Sequence, residues 1–261
     1  MQNLNKIFAN ILTYLWSGWG GAASLFLLLA LWEYGHLQMG SLILPSPKQS
    51  VTALFYAIAH EDAIYDIIIT CKRAFYGFGA GVLLASASGI LAGTSMTVSM
   101  ALRPIVTFIM GVPPIAWIVL ALMWFGDDDM TAAFTVFVVV FPIIFASAMQ
   151  GMRMRSAELD EMADIYQLSL WQKFFHIHMP QIISYLFPAW IVALGMSWKI
   201  VVMAELLGTE HGIGAAMAMA RVNIDTAATM GWILMIIFIL LMIEYLFLEP
   251  IKRYVERWKM L

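Results

Sequence analysis

Apolar residues gather into six long stretches, Gly21 to Leu37, Ala74 to Thr94, Val98 to Phe125, Thr131 to Gln150, Ile182 to Leu207 and Thr229 to Leu248, separated by more polar segments. A run of about 20 apolar residues crosses a hydrocarbon core of roughly 30 Å as a helix, because lipid offers no partner to backbone N–H and C=O groups. The pattern predicts an all-α polytopic membrane protein of about six transmembrane helices, with both termini on one side. Composition agrees: 62% of residues are hydrophobic and 12% charged, and the mean hydropathy of +0.84 is too high for a water-soluble domain of this length.

Positive charge orients the spans, since Lys and Arg are retained on the cytoplasmic side. One face collects Lys6, Arg103, Arg153, Arg155, Lys173, Lys252, Arg253, Arg257 and Lys259. The other has Lys48 and Arg221, with Lys72 and Arg73 near a span boundary. The first face is expected in the cytoplasm. Asp127 to Asp129 and Leu44 to Pro47 then face outward, and Trp124 and Trp232 belong to an outer aromatic belt. Residues 1–20, with Tyr14, Trp16 and Trp19, show no cleavable signal pattern and are expected along the inner surface. The expected organisation is this segment, a membrane domain over 21–250 with a cytoplasmic loop at 153–180, and a cytoplasmic tail at 251–261.

The segment Glu161-Met-Ala-Asp-Ile-Tyr-Gln167, followed by Ile177-His-Met-Pro180, is a polar island between apolar runs. It must lie in water. Leu159, Met162, Ala163 and Tyr166 recur at helical spacing, so they form one apolar face with no bilayer to cover it, and a protein partner is expected there. Ser169-Leu-Trp-Gln172 has capping-box spacing, which predicts a second helix ending at Pro180.

Other segments break the helical pattern. Pro113 and Pro114, within Gly111 to Trp117, remove backbone donors inside the third span and free carbonyls at membrane depth. The break is read either as pore lining or as a packing kink. Gly77, Gly79, Gly81, Gly89 and Gly93 are expected to be packing surface. In the fifth span, Trp198 and Lys199 precede Glu205, placing two ionisable groups in an apolar helix. Six residues of separation disfavour a direct pair between them, so each is expected to pair with another helix or protomer or to reach an interface, and Lys199 is alternatively a contact for an anionic substrate. His176 and His178 are read as cytoplasmic polar surface, Asp127 to Asp129 as a solvated loop, and Glu249 as a surface partner of Lys252 and Arg253. No metal cluster is expected. The lone Cys71 excludes an intrachain disulfide.

The chain has no phosphate-binding Gly-x-x-x-x-Gly-Lys-Ser/Thr loop, no Gly-x-Ser-x-Gly elbow and no His-Glu-x-x-His helix. It is expected not to be an enzyme, and any motor that powers it must be another polypeptide. A net charge of −3 without a basic run gives no footprint for nucleic acid. A secondary transporter or channel working alone would account for the broken helix and Lys199, but gives the polar island no role. An intramembrane enzyme would need a catalytic pair, which the spacing does not offer.

The island resembles the cytoplasmic loop of inner-membrane permease subunits of binding-protein-dependent ABC importers. That loop reads Glu-Ala-Ala, three residues, Gly, nine residues, Ile-x-Leu-Pro. Glu161, Ala163, Ile177 and Pro180 match it, Met162 and Met179 are mild replacements, and Gln167 stands where the family has glycine. Leu44-Pro-Ser-Pro47, Arg73-Ala-Phe-Tyr-Gly77-Phe78, Pro113-Pro-Ile-Ala-Trp117, Trp124-Phe-Gly126, Trp198, Ala204-Glu-Leu-Leu-Gly208 and Gly212-Ile-Gly214 resemble the nitrate, sulfonate and taurine branch. The resemblance implies a type I importer permease fold and two permease subunits around a path, as a homodimer or heterodimer. It further implies two ATP-binding subunits on the loop, an extracytoplasmic binding protein, surrounding lipid, and no cofactor on this chain because ATP is bound by its partners. A left-handed turn at Gln167 would cost about 1 kcal/mol, so a differently built turn is expected there.

Overall fold

The computed structural model describes the backbone of residues 2–60 and 63–248, and the side chains of 20–59 and 63–246. Every regular element among the described residues is helical. Lys252, Arg253, Arg257, Lys259, the proposed Glu249 pairing and the 251–261 tail lie outside the described residues, as do the side chains of Lys6, Tyr14, Trp16 and Trp19. The chain forms two compact units, residues 1–61 with 220–234, and residues 62–219 with 235–261.

In the first unit, α1 (Gln2–Met39) runs unbroken through the expected Gly21 to Leu37 stretch. A turn at Gly40 then leads to α2 (Pro47–His60). The turn is fixed by polar side chains: Trp32 Nε1 donates to the Pro45 carbonyl at 2.9 Å, and a His36 ring nitrogen lies 2.7 Å from the Leu44 carbonyl. Ser46 and Gln49 cap α2 reciprocally, each side chain accepting from the other's backbone N–H. Trp232 is buried here and does not stand in an exposed aromatic belt.

The core of the second unit is three long helices, α3 (Ala63–Thr94), α6 (Asp129–Arg153) and α9 (Met179–Gly208). α3 packs along α6, and α6 along α9. The small residues of α3 make the first contact possible. A Cβ at Gly77 would strike the Ala133 carbonyl and Val136, and one at Gly89 would strike the Phe145 carbonyl and Ala148. Gly81 and Gly93 lie against Val140 and Met152 in the same way, so the expected packing role holds for these four positions. α3 begins eleven residues before the expected Ala74, because Ala63 is its first residue. Lys72 and Arg73 are therefore inside a helix of 32 residues, longer than the about 20 that a crossing needs.

Among the described residues, four helices are long and apolar enough to cross a membrane: Ala63–Thr94, Asp129–Arg153, Leu170–Gly208 and Thr226–Leu246. α4 (Met96–Gly111) and α5 (Pro114–Phe125) form a fifth if their pair, bent by 96°, is one broken span. The polar island contains α7 (Ala157–Ile165) and α8 (Leu170–Lys173). α10 (Ile213–Val222) and α11 (Thr226–Ile243) complete the order.

The expected helix stop at Pro180 is absent. α8 passes through a π-helical turn at Phe174–His178 straight into α9, and Pro180 is the second residue of α9. A wide π turn removes the usual clash between a proline ring and the carbonyl four residues earlier, so the helix continues.

Candidate functional site

The island is built from three local capping devices. Ser156 Oγ accepts from Leu159 N at 3.3 Å, which starts α7. Ser169 and Gln172 form the predicted capping box, with Ser169 N donating to Gln172 Oε1 at 3.0 Å and Gln172 N to Ser169 Oγ at 3.3 Å. Between them, α7 ends in a Schellman turn: Leu168 N donates to the Ala163 carbonyl and Gln167 N to the Asp164 carbonyl, both at 3.0 Å. That turn needs a left-handed residue, and Gln167 supplies it at φ 52°. The turn is thus the one glycine would make, not a differently built one.

The island's polar residues bind it to itself. His178 Nε2 lies 2.7 Å from Asp160 Oδ1, and Arg155 Nη1 is 3.2 Å from His178 Nδ1. The ring thus sits between the Asp160 carboxylate and the Arg155 guanidinium. His178 is consequently buried, not the surface residue expected. Burial raises the Asp160 carboxyl. The His178 hydrogen bond and the charges of His178, Lys173 and Arg155 outweigh that effect and hold it below its ordinary 3.8. Lys173 Nζ donates to Asp164 at 3.1 Å, and Ser156 N donates to Gln181 Oε1 at 2.9 Å, tying the start of α7 to α9.

Large apolar side chains are also exposed here. Ile165 is 80% exposed, Tyr166 73%, Leu170 85% and Trp171 74%, all flanking the Gln167 turn. Trp171 stacks on Phe175 with ring centroids 5.5 Å apart. Leu159 and Met162 are also exposed, as are Glu161, Gln167 and Pro180. Ala163 and Ile177 are buried within the chain. Ala163 therefore supports the patch from beneath and is not a free contact residue. Leu170 and Trp171 were not anticipated, although their placement just inside a capping box is a readable signal.

At the broken helix, Val112 and Pro113 are extended and Pro113 to Ile115 are exposed. Buried Trp117 donates Nε1 to the Ile109 carbonyl at 3.4 Å and meets Phe108 edge-on. One carbonyl freed by the break is thereby satisfied within the protein.

Glu205 lies in a different setting, 1% exposed. Its carboxylate accepts from Thr70 Oγ1 at 2.8 Å, Arg73 Nη1 at 3.0 Å and Gly214 N at 3.1 Å. Arg73 Nε donates to Asp129 at 2.7 Å, and its Nη1 to the His211 carbonyl at 2.6 Å. Lys72 Nζ is 3.1 Å from the same Asp129. Gly212, at φ +113°, abuts the Glu205 carboxylate so closely that no Cβ would fit. Asp129 is accordingly the first residue of α6 and an ion-pair partner, not part of a solvated loop. Asp127 accepts from Glu210 N at 3.0 Å. The hub joins α3 and α6 to the end of α9, the turn after it and the start of α10, and partners 132 residues apart leave no local pattern in the sequence.

Trp198 is buried and meets Phe75 edge-on at 6.5 Å. Lys199, next along α9, is exposed and lines a cavity with Glu244. Among the described residues no group of His, Cys, Asp or Glu could hold a metal ion.

Several membrane-length apolar helices, a helix pair bent by 96° and a capped polar segment are the features of a multi-pass membrane protein. Residues 77–258 match the family described as the binding-protein-dependent transport system inner membrane component, and the chain belongs to that family. It is 30% identical to the nitrate import permease protein of Leptolyngbya laminosa, over 59% of this chain and 55% of that protein. The corresponding nitrate permease of Synechocystis is 29% identical, over 74% of this chain and 73% of that one. The taurine transport system permease protein of Escherichia coli is 25% identical over 89% and 86%. These relatives place the chain in the nitrate, sulfonate and taurine branch of ABC importer permeases.

Proposed function

We propose that this chain is the membrane-spanning subunit of an ATP-driven importer, forming with a second permease copy the path for a small solute that an extracytoplasmic binding protein delivers. Two ATP-binding subunits dock on α7 and α8. The observation that carries this reading is the exposed apolar patch of Ile165, Tyr166, Leu170 and Trp171 around the Gln167 turn, where the polar island meets the first turn of the long Leu170–Gly208 helix. Large apolar side chains held out by a rigid turn in water fit a protein partner. A transporter working alone gives that patch no partner. Nucleotide closure of the motors pushes the patch, and the direct run of α8 into α9 carries the motion into the membrane region. Pro113, Pro114 and Trp117 at the broken helix, and Trp198 and Lys199 on α9, stand nearest our candidate path. Glu205 braces the bundle through Arg73. The polar face of Lys199 supports a charged solute, with nitrate- and sulfonate-like anions the class to test first.

The test is Tyr166→Asp, which puts a charge into the patch without touching the capping bonds. Solute uptake should fall at least tenfold and the ATP-binding subunit should be lost on purification, with permease yield unchanged. Normal uptake and association would contradict the reading.

A further inference from the structure

The helix that joins the docking patch to the spans does not keep one register. α8 and α9 are α-helical, but between them Met179 N donates to the Phe174 carbonyl five residues back, so the π turn holds one residue more than an α-helix would. An α-helix advances about 100° per residue. The extra residue therefore holds α8 about 100° away from the phase that an unbroken α-helix would give it. In that unbroken phase Gln172 would stand where Trp171 stands, and Phe174 where Lys173 stands.

The island's contacts use the observed phase. Lys173 and His178 are five residues apart, and an α-helix would turn them about 140° from each other. Across the π turn both reach Asp160 on α7. His178 Nε2 lies 2.7 Å from Asp160 Oδ1, and Lys173 Nζ lies 3.9 Å from the same atom and 3.4 Å from the Asp160 carbonyl. Gln181 joins that side: its Oε1 accepts from Ser156 N at 2.9 Å, and its Nε2 donates at 3.0 Å to the carbonyl of Ile177 within the π turn. With Lys173 held in this way, Leu170 and Trp171 are left exposed beside the Gln167 turn.

Pro180 keeps the chain out of the α register here. It has no N–H for the His176 carbonyl, and in an α-helix its ring would strike that carbonyl. We infer that Pro180 is a positioning residue: through the π turn it sets the rotation of α8 about the axis of α9, and with it the direction in which Leu170 and Trp171 meet their partner. This rests on the docking reading and adds what aims the docking surface.

The test is a compensating deletion in the full-length permease, assembled with its ATP-binding subunits in proteoliposomes. Pro180→Ala admits the α register, so uptake should fall at least tenfold. A benzophenone amino acid placed at Trp171 should lose its nucleotide-sensitive crosslink to an ATP-binding subunit in that variant. Deleting exposed His176 from Pro180→Ala should bring uptake and crosslink back to within about twofold of wild type, because an α-helix one residue shorter keeps the phase and leaves Lys173 and His178 four apart on one face. The same deletion with Pro180 in place should not recover them, since the ring then meets the Phe175 carbonyl. A proline needed only for stability predicts a double variant no better than either single one. That result overturns the inference, as does wild-type uptake and crosslinking in Pro180→Ala. If Pro180→Ala gives no assembled complex, the double variant measured against the deletion alone decides between the same two outcomes. A wild-type complex without a crosslink from Trp171 removes the docking reading and the inference with it, whereas a wild-type crosslink that Pro180→Ala retains removes the inference alone.

Discussion

At Gln167 a side chain occupies a left-handed conformation, φ 52°, in a turn whose hydrogen bonds are complete. The left-handed penalty for an L-residue is about 1–2 kcal/mol, partly offset by glycine's greater freedom in the unfolded chain. Gln167→Gly should therefore stabilise the loop by up to about 1 kcal/mol, seen as a higher midpoint of thermal unfolding, and leave uptake intact. The sequence reveals the position but not the conformation, because the matched spacing locates the turn while the tolerance of glutamine depends on bonds to Asp164 and Ala163. Arg73 and Glu205 give a second residue-level expectation. Removing one partner of a buried ion pair costs about 3–5 kcal/mol. Glu205→Ala should sharply reduce the yield and melting temperature of the membrane protein, whereas an exposed surface pair would change them little. If the melting temperature holds, the pair does not brace the fold.

Among the elements, the apolar spans were legible from hydropathy because lipid demands long uninterrupted runs. The failures have a common physical origin in contacts between distant segments. Helix α3 starts at Ala63, and within it Lys72 and Arg73 find partners at Asp129 on α6 and Glu205 on α9. Trp232 is buried, and the π turn carries α8 through Pro180. Periodicity placed Leu159, Met162, Ala163 and Tyr166 on one face, yet Ala163 is covered by the chain itself. A helical face has two edges, and spacing alone does not say which is turned inward.

Two element-scale outcomes follow from packing and charge. Gly89→Val should overpack the α3–α6 contact, where a Cβ already meets the Phe145 carbonyl, and cost about 1–3 kcal/mol, read as a lower melting temperature. For Asp160, whose carboxyl is held below its ordinary 3.8, the contribution to loop stability is fully present above that value and disappears as pH falls through the lower folded value. Amide exchange across residues 157–178, corrected for its intrinsic pH dependence, should show protection that is flat near neutrality and lost under acid. Asp160→Asn should flatten the acid limb.

For the whole molecule, a membrane bundle whose water-facing loop is internally bonded yet apolar at its tip makes sense as one part of an assembly. The hydropathy of the chain and the absence of a phosphate-binding loop motif pointed there, while the outward aromatic and aliphatic tip became visible only with the fold. The most direct measurement is photocrosslinking in native membranes from a benzophenone amino acid placed at Ile165 or Leu170. The account predicts a nucleotide-sensitive crosslink to an ATP-binding subunit from both positions, and none from a control at buried Ile182. Crosslinks from Ile165 and Leu170 that reach only lipid, or only another permease copy, would contradict it.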